Sequence, residues 1–195
     1  MDLKPTLWRT CRVLANERRL AVLSHICATG PSCVTVVAAA TRISQPQATQ
    51  HLRLLQSRGL LRATRASRWV TYAPVADPLV QHADGMLKAI RQSLKRKDAP
   101  AEVIRALTAF THPRRLNLVL SLHAQPLSFE QLVARCSISP PALYRHLRKL
   151  ARRGALEPVA DGTYRLSAPP SKLLLALMRL VLSDSQPSGR RQNNN

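Results

Sequence analysis

The chain has 195 residues, 45% of them hydrophobic, and its 30 Lys and Arg against 10 Asp and Glu give a net charge of +20. This composition indicates one or two globular domains and a polyanionic partner, because the charge is far beyond what solubility requires. It excludes a membrane-spanning protein and a disulfide scaffold, since no apolar run approaches ~18 residues and the four cysteines form no CxxC pair.

Apolar periodicity and capping residues predict five helices and a hairpin in the first half. In chain order they are an amphipathic segment over Leu7 to Ala15, a helix from Glu17 to before Gly30, a short helix over Val34 to Thr41, a helix from Ser44 to before Gly59, a hairpin turning near Ala66 and Ser67, and a closing helix over Asp77 to Lys97. Asn16 and Ser44 can cap the second and fourth helices, because their side chains can accept hydrogen bonds from the first turn.

The second half of the sequence repeats the first. ERRLAVLSHI and SQPQATQHLRLLQSRGLL reappear as PRRLNLVLSL and SPPALYRHLRKLARRGAL, with His51, Leu52, Leu55 and Gly59 recurring 95 residues later. The predicted elements here are helices over Ala101 to Phe110, Pro113 to His123, Ser128 to Arg135 and Pro140 to Arg153, a hairpin turning at Asp161 and Gly162, and a leucine-rich helix over Ser171 to Ser183. The polar stretch Lys95 to Pro100 separates the halves, so we expect domains at 1–97 and 98–184 and a disordered tail at 185–195.

Each half contains a short helix, a tight turn and a capped helix of about a dozen residues, the arrangement of a helix-turn-helix that presents its second helix to the DNA major groove. The core-facing positions of this helix leave polar side chains outside. In the first copy, the candidates for reading bases are Gln45, Gln47 and Gln50, because Gln is suited to adenine edges. The candidates for holding the backbone are Ser44, Thr49 and Arg53, and His51 at the flank is expected to contact phosphate or a neighbouring helix.

The hairpin after this helix is expected to act as a wing that lies along the flanking phosphates or enters the minor groove, through Arg62, Arg65 and Arg68. The corresponding DNA-binding candidates of the second copy are Ser139, Tyr144, Arg145, His146, Arg148 and Lys149. Because Pro140, Ala142 and Arg145 replace the three glutamines, we expect an asymmetric DNA site. The second wing carries Glu157 and Asp161 against Arg165, so the first copy is expected to bind DNA better.

These segments resemble the winged-helix regulators of the ArsR type. LANERRLAVLSHI, SQPQATQHLRLLQSRGLL and RWVTYAP are similar to that family's second helix, recognition helix and wing, and the second copy is similar more loosely. The resemblance implies homodimeric repressors that bind near-palindromic operators and release them when a metal or another signal arrives. With the repeat, it predicts a mainly α fold of the α+β winged-helix type, with two tandem winged helix-turn-helix domains, each of four to five helices and a two-stranded wing.

The duplication also suggests how the two halves are arranged. The leucine-rich helix over Ser171 to Ser183 is apolar around much of its circumference, more than one small domain needs, which favours a buried interface. The first and last helices of each half can therefore pack together as an intramolecular pseudo-dimer. An ordinary homodimer through the same surface is the alternative.

No cofactor, metal site or catalytic site is expected. The paired-cysteine signature of metal-sensing relatives is absent from Val34 to Thr41, and Cys11, Cys27 and Cys33 fit either a thiol switch or small buried side chains. No glycine-rich phosphate loop, HExxH motif or nucleophile constellation is present, so we expect no enzyme. Trp8 and Trp69 are expected in the core or in wing packing.

The sequence therefore predicts a sequence-specific regulator of transcription that binds double-stranded DNA and acts as a repressor. We expect it in the cytoplasm, associated with the nucleoid and not with membranes, because the N-terminus lacks a long apolar segment with a cleavage site. The alternative is an architectural or replication-associated protein that bridges DNA through paired winged helices. The preference for an operator over bulk DNA separates the two hypotheses.

Overall fold

The computed structural model describes residues 6–66 and 69–184, and the predicted tail at 185–195 lies outside this range. The elements of the first half are α1 (Leu7–Leu14), α2 (Glu17–Thr29), β1 (Ser32–Cys33), α3 (Val34–Thr41), α4 (Gln45–Gln56), β2 (Arg62–Ala66), β3 (Trp69–Ala73) and α5 (Ala83–Lys95). Those of the second half are α6 (Pro100–Ala109), α7 (Pro113–Ser121), β4 (Leu127–Ser128), α8 (Phe129–Cys136), α9 (Pro140–Ala151), β5 (Leu156–Pro158), β6 (Thr163–Leu166) and α10 (Lys172–Asp184). The same order of elements thus occurs twice.

The predicted capping residues define the helix starts in the first half. The Asn16 side chain accepts a hydrogen bond from the backbone N–H of Arg19 at 3.1 Å, which confirms its role at the start of α2. Ser44 caps α4 in a reciprocal arrangement with Gln47, and Pro46 lies in the first turn, where a missing N–H costs no intrahelical bond. Both helices therefore begin where the sequence predicts.

Equivalent residues of the two halves have equivalent backbone and side-chain geometry. Arg42 and Ser137 both adopt the left-handed conformation between the two helices of the turn, with φ of 53° and 49°. Arg19 donates from Nε to the carbonyl oxygen six residues earlier at 2.5 Å, and Arg115 does the same at 2.6 Å. These pairs lie 95 and 96 residues apart, so the structural repeat follows the sequence repeat.

The predicted closing helix of the first half begins later than expected. Residues 77–82 form turns, and α5 starts only at Ala83. The Asp77 carboxylate accepts the N–H of Leu79 at 2.9 Å, while the Asp77 N–H donates to the carbonyl of Gly59 at 2.9 Å. These bonds tie the segment to the end of α4, because an Asp side chain that bonds its own backbone two residues on stabilises a turn.

Each half contains a three-stranded sheet instead of the predicted two-stranded hairpin alone. The additional strands are β1 and β4, which pair antiparallel with the second hairpin strand, giving the orders β1-β3-β2 and β4-β6-β5. Ser32 lies opposite Tyr72, and Leu127 lies opposite Tyr164. The sheet therefore anchors each hairpin directly to the start of the helix-turn-helix.

Equivalent helices of the two halves pack on each other. α1 packs on α6, and α5 packs on α10, which also contacts α1, α6 and α7. At Gly85 of α5 there is no room for a side chain beside Leu180 of α10, so these two helices approach closely. Contacts between matching elements are the pattern of a two-fold interface.

One hydrophobic core spans both halves. It includes fully buried Leu7 and Leu14 of α1, Leu107 of α6 and Leu177 of α10. Of the apolar residues of α10, five are buried, namely Leu173, Leu174, Leu177, Met178 and Val181, whereas Leu175 is 36% exposed. Within the described residues, no helix combines the length and the apolar character that a membrane span requires.

Candidate nucleic-acid interface

The exposed face of α4 carries polar side chains at its N-terminal half. α4 packs on α2 and α3 through buried Ala48, Leu52 and Leu55, which turns the opposite face to solvent. The predicted contact residues that are exposed there are Ser44, Gln45, Gln47, Gln50 and Arg53, and Thr49 is half-buried. Thr49 donates its hydroxyl to the carbonyl of Gln45 at 2.9 Å, which leaves its oxygen available as an acceptor.

Gln47 has a second role that the sequence analysis missed. Its side-chain oxygen accepts the N–H of Ser44 at 3.2 Å, and the Ser44 hydroxyl accepts the N–H of Gln47 at 3.4 Å. The spacing of Ser and Gln by three residues is the signature of this capping arrangement. Reading of a base by Gln47 therefore competes with its contribution to the start of α4, whereas Gln45 and Gln50 have no such bond among those described.

The first wing is continuous with the exposed face of α4. Arg53 of α4 and Arg62 of β2 line the same surface depression, and Arg65 is also exposed on β2. Because side chains alternate along a strand, Arg62 and Arg65 lie on opposite faces of the hairpin. Arg68 lies outside the described residues. Trp69 is 55% exposed on β3, so it is not part of the core.

The corresponding face of α9 is aromatic and basic. Tyr144 is 57% exposed, and Ser139, Arg145, Arg148 and Lys149 are exposed as well. Ser139 makes no side-chain capping bond, unlike its equivalent Ser44. Ala142, at the position of Gln47, is buried. The two helices therefore offer different side chains from equivalent places.

Two predicted contact residues, His51 and His146, face inward. His51 is only 9% exposed, so it does not belong to the exposed face of α4. His146 is half-buried and its ring lies 4.6 Å from the ring of His112 between centroids. Burial, then the charges of Arg19 and Arg18, lower the pKa of His51. Both histidines therefore lie against neighbouring helices, which is one of the two contacts that the sequence predicts for them.

The half-buried position of His146 predicts that stability declines as the pH falls below neutrality. Burial, followed by His112 and Arg115, lowers the pKa of His146 from 6.5 to about 4. The unfolded chain therefore takes up this proton below pH ~6.5 and the folded chain does not until about pH 4, so unfolding is favoured across that window. We expect His146→Gln to reduce the loss of unfolding free energy between pH 7 and 5 by about 1 kcal/mol, allowing for partial exposure.

This prediction is checked by urea denaturation at a series of pH values. His123→Gln, at an exposed position, is the control, and its unfolding free energy should change with pH as that of the wild type does. An equal change of unfolding free energy with pH in the wild type and in His146→Gln would contradict the prediction.

The charged side chains of the second wing bind other groups of the same wing. Glu157 and Arg165 lie opposite each other on β5 and β6, and Nε of Arg165 donates to Oε1 of Glu157 at 2.8 Å. Asp161 accepts bonds from the N–H and hydroxyl of Thr163 in the turn. The predicted charge difference between the wings is therefore present in the structure, since no acidic residue lies on β2 or β3.

The cysteines show no common site among the described residues. All four are free, and no three His, Cys, Asp or Glu side chains in that part of the chain converge as metal ligands. Burial raises the pKa of Cys11 to about 12, whereas the pKa of Cys33 is lowered, mainly by its hydrogen bond with Thr35. The two thiols therefore have opposite environments.

Comparison with known proteins finds a family match in the second half of the chain. Residues 110–159, from the end of α6 through β5, match the sequence model of a family described as a helix-turn-helix domain. The chain is also 36% identical over 61 residues to an arsenical resistance operon repressor of Escherichia coli (strain K12), which covers 31% of this chain and 52% of that protein. The chain thus spans about half the length of the curated relative it matches. The family match falls on the second copy, whereas the sequence analysis finds the closer resemblance in the first. In fold and in these stretches, the chain is similar to winged helix-turn-helix regulators.

Proposed function

We propose that this protein is a sequence-specific regulator of transcription that binds double-stranded DNA through two recognition helices, α4 and α9. The observation that carries the proposal is the outward polar row on each of two equivalent helices, both following a short helix and a left-handed turn residue. This geometry is the one that places a helix in the major groove. The proposed function is not enzymatic.

The charge of the chain supports a phosphate backbone as the partner. With 16 basic and 4 acidic residues, the first half has a net charge of +12, and the second half, with 14 and 6, has +8. Arginines that line the same depression on α4 and β2 can hold adjacent phosphates, and the two faces of the first hairpin each carry an arginine. A hairpin with arginines on both faces suits insertion into the minor groove, where each face lies beside one DNA strand.

The two halves are proposed to be tandem winged helix-turn-helix domains that form a covalent pseudo-dimer. The packing of α1 on α6 and of α5 on α10 supports this arrangement, as does the single core. It gives one chain two reading helices related by an approximate two-fold axis, as half-sites of an operator require. Because Arg145 and Tyr144 of α9 stand in the places of Gln50 and Thr49 of α4, the two half-sites differ in sequence.

A repressor role is the part of the proposal that rests on similarity. The matched Escherichia coli relative is named as an operon repressor. Occupancy of a promoter by a bound protein is sufficient to block it, so repression needs no further surface on this chain.

The experiment is selection of bound duplexes from random sequence, followed by titration of the selected duplex and of bulk DNA at physiological salt. A regulator is expected to prefer its selected site by about 10³-fold or more, and the selected motif should be asymmetric. An architectural protein, the alternative function, is expected to show little preference and a steep dependence of affinity on salt. Light scattering of the protein alone should give one chain per particle, whereas a homodimer would give two.

A further inference from the structure

A pocket lined by arginines lies between α1, the start of α2 and the end of α4. Its walls include Trp8, Arg9, Arg12, Arg19 and Arg58, and its volume is about 320 Å³. Among the described residues that line it, none is acidic. Four guanidinium groups therefore line one pocket whose described walls carry no carboxylate. Like charges that share a pocket repel each other.

Arg58 is the residue whose hydrogen bonds are incomplete. Its Nε and Nη1 atoms are buried and have no hydrogen-bond partner in the described part of the chain. Burial, and then the charge of Arg9, lower the pKa of Arg58. A buried donor without an acceptor is costly, and more so when it is charged. The side chains that line the pocket therefore do not supply the acceptors that Arg58 needs.

The second half shows how the same position is satisfied. Arg153, the equivalent of Arg58, donates from Nε to the Thr108 hydroxyl at 2.7 Å and from Nη1 to the Lys149 carbonyl at 3.1 Å. The buried positions of α1 recur 96 residues later in α6, so Thr108 corresponds to Arg12. In the second half, the Thr108 hydroxyl accepts a hydrogen bond from Arg153. In the first half, the cationic side chain of Arg12 occupies the equivalent place.

We propose that the first half binds a phosphate-type oxyanion in this pocket, with Arg58 and Arg12 as its main ligands. Guanidinium groups match the geometry of phosphate oxygens and form short, charge-assisted hydrogen bonds with them. The anion supplies the acceptors that Arg58 lacks and offsets the repulsion between Arg58 and its neighbouring cations. Because α1 packs on the second half, the anion joins the recognition helix to the contact between the halves.

The phosphate can come from a small molecule or from the DNA backbone. α4 has 12 residues, so its C-terminal end is about 18 Å from the end that carries Gln45. This separation from the base-reading end favours a free anion. The inference concerns a site outside the proposed DNA interface and does not require that interface to be correct.

The test is thermal unfolding of the full chain without DNA, in millimolar inorganic phosphate against chloride of equal ionic strength and pH. We expect phosphate to raise the Tm of the wild type by about 3 °C more than that of Arg58→Gln, the size of shift at tenfold excess over Kd. Arg12→Thr, which installs the residue found in the second half, should also lose this shift and should melt higher than the wild type in chloride. Arg179→Gln, which removes an exposed charge from α10, should keep the shift.

Equal phosphate-dependent shifts in the wild type, Arg58→Gln and Arg12→Thr would exclude a free anion as the occupant, because phosphate stabilises folded proteins in general. A second arm measures duplex affinity against salt. A backbone phosphate in this pocket should reduce the salt slope by about one in Arg58→Gln, with no specific shift in free phosphate. No difference in either arm would exclude the anion site and leave the proposed function untouched.

Discussion

Replacing Gln50 and Arg53 together with alanine is expected to weaken binding to the selected duplex by about 100-fold, because each side chain supplies ~1–3 kcal/mol of base or phosphate contact. Both are exposed on α4 and both line a single shallow depression on its surface. The loss should be largest for the half-site read by α4, so the variant should also accept changes there that the wild type rejects. Fluorescence anisotropy with the selected duplex and its point variants measures both effects.

A matched control removes one glutamine and one arginine side chain elsewhere on the surface. Gln92 of α5 and Arg179 of α10 are exposed and lie outside the proposed interface, so Gln92→Ala with Arg179→Ala changes the charge equally. This control should bind within about threefold of the wild type, since only long-range electrostatics is altered. If the control loses as much affinity as the α4 variant, α4 does not carry the recognition. If Arg145→Ala abolishes sequence preference while the α4 variant keeps it, the assignment of roles to the two helices is wrong.

The second large effect is expected in the shared core. Leu177 is fully buried in α10, which packs against helices of both halves. Leu177→Ala should lower the free energy of unfolding by about 3 kcal/mol, because it removes buried methyl groups and leaves a cavity. The loss should apply to the whole molecule, so calorimetry of wild type and variant should each show one cooperative transition.

Leu175→Ala is the control for this prediction. Leu175 lies on the same helix but is 36% exposed, so the change should cost well under half as much. Two separate transitions in the wild type would contradict the single core. A Leu177→Ala variant in which only one half unfolds at a lower temperature would also contradict the single core.

The sequence was most informative where local chemistry decides the structure. Asn16, Ser44 and Gly59 mark helix boundaries through bonds or backbone angles that each residue favours by itself, and all three lie where predicted. The outward row on α4 follows from helical periodicity, and so does the burial of Ala48.

Features that depend on tertiary contacts were not predictable in the same way. The two-residue strand β1 is too short to produce an alternating pattern, and it exists because β3 lies beside it. The helical periodicity before α5 extended the predicted helix to Asp77, although the contact of Asp77 with Gly59 holds a turn there. His51 lies at the edge of the apolar face, where only the neighbouring helices decide that it is buried.

The repeat contains a signal for the contacts of Arg19 and Arg115 with the preceding helix. Arg19 and Arg115 occupy the same place in the repeated Arg-Arg-Leu segments, and each binds the carbonyl at the end of the preceding helix. A charged residue kept in both copies at a helix start indicates a structural contact. The incomplete hydrogen bonding of Arg58, by contrast, leaves no pattern in the sequence.

The continuous core between the halves has a consequence for how such a protein diverges. When two identical subunits bind a palindrome, a single codon change alters both sides of the recognition event at once. Here α4 and α9 are encoded separately while their mutual orientation is fixed by shared packing. In the proposed function, each helix can therefore acquire new DNA preferences without changing the other, and the surfaces through which the two halves pack are already occupied within one chain.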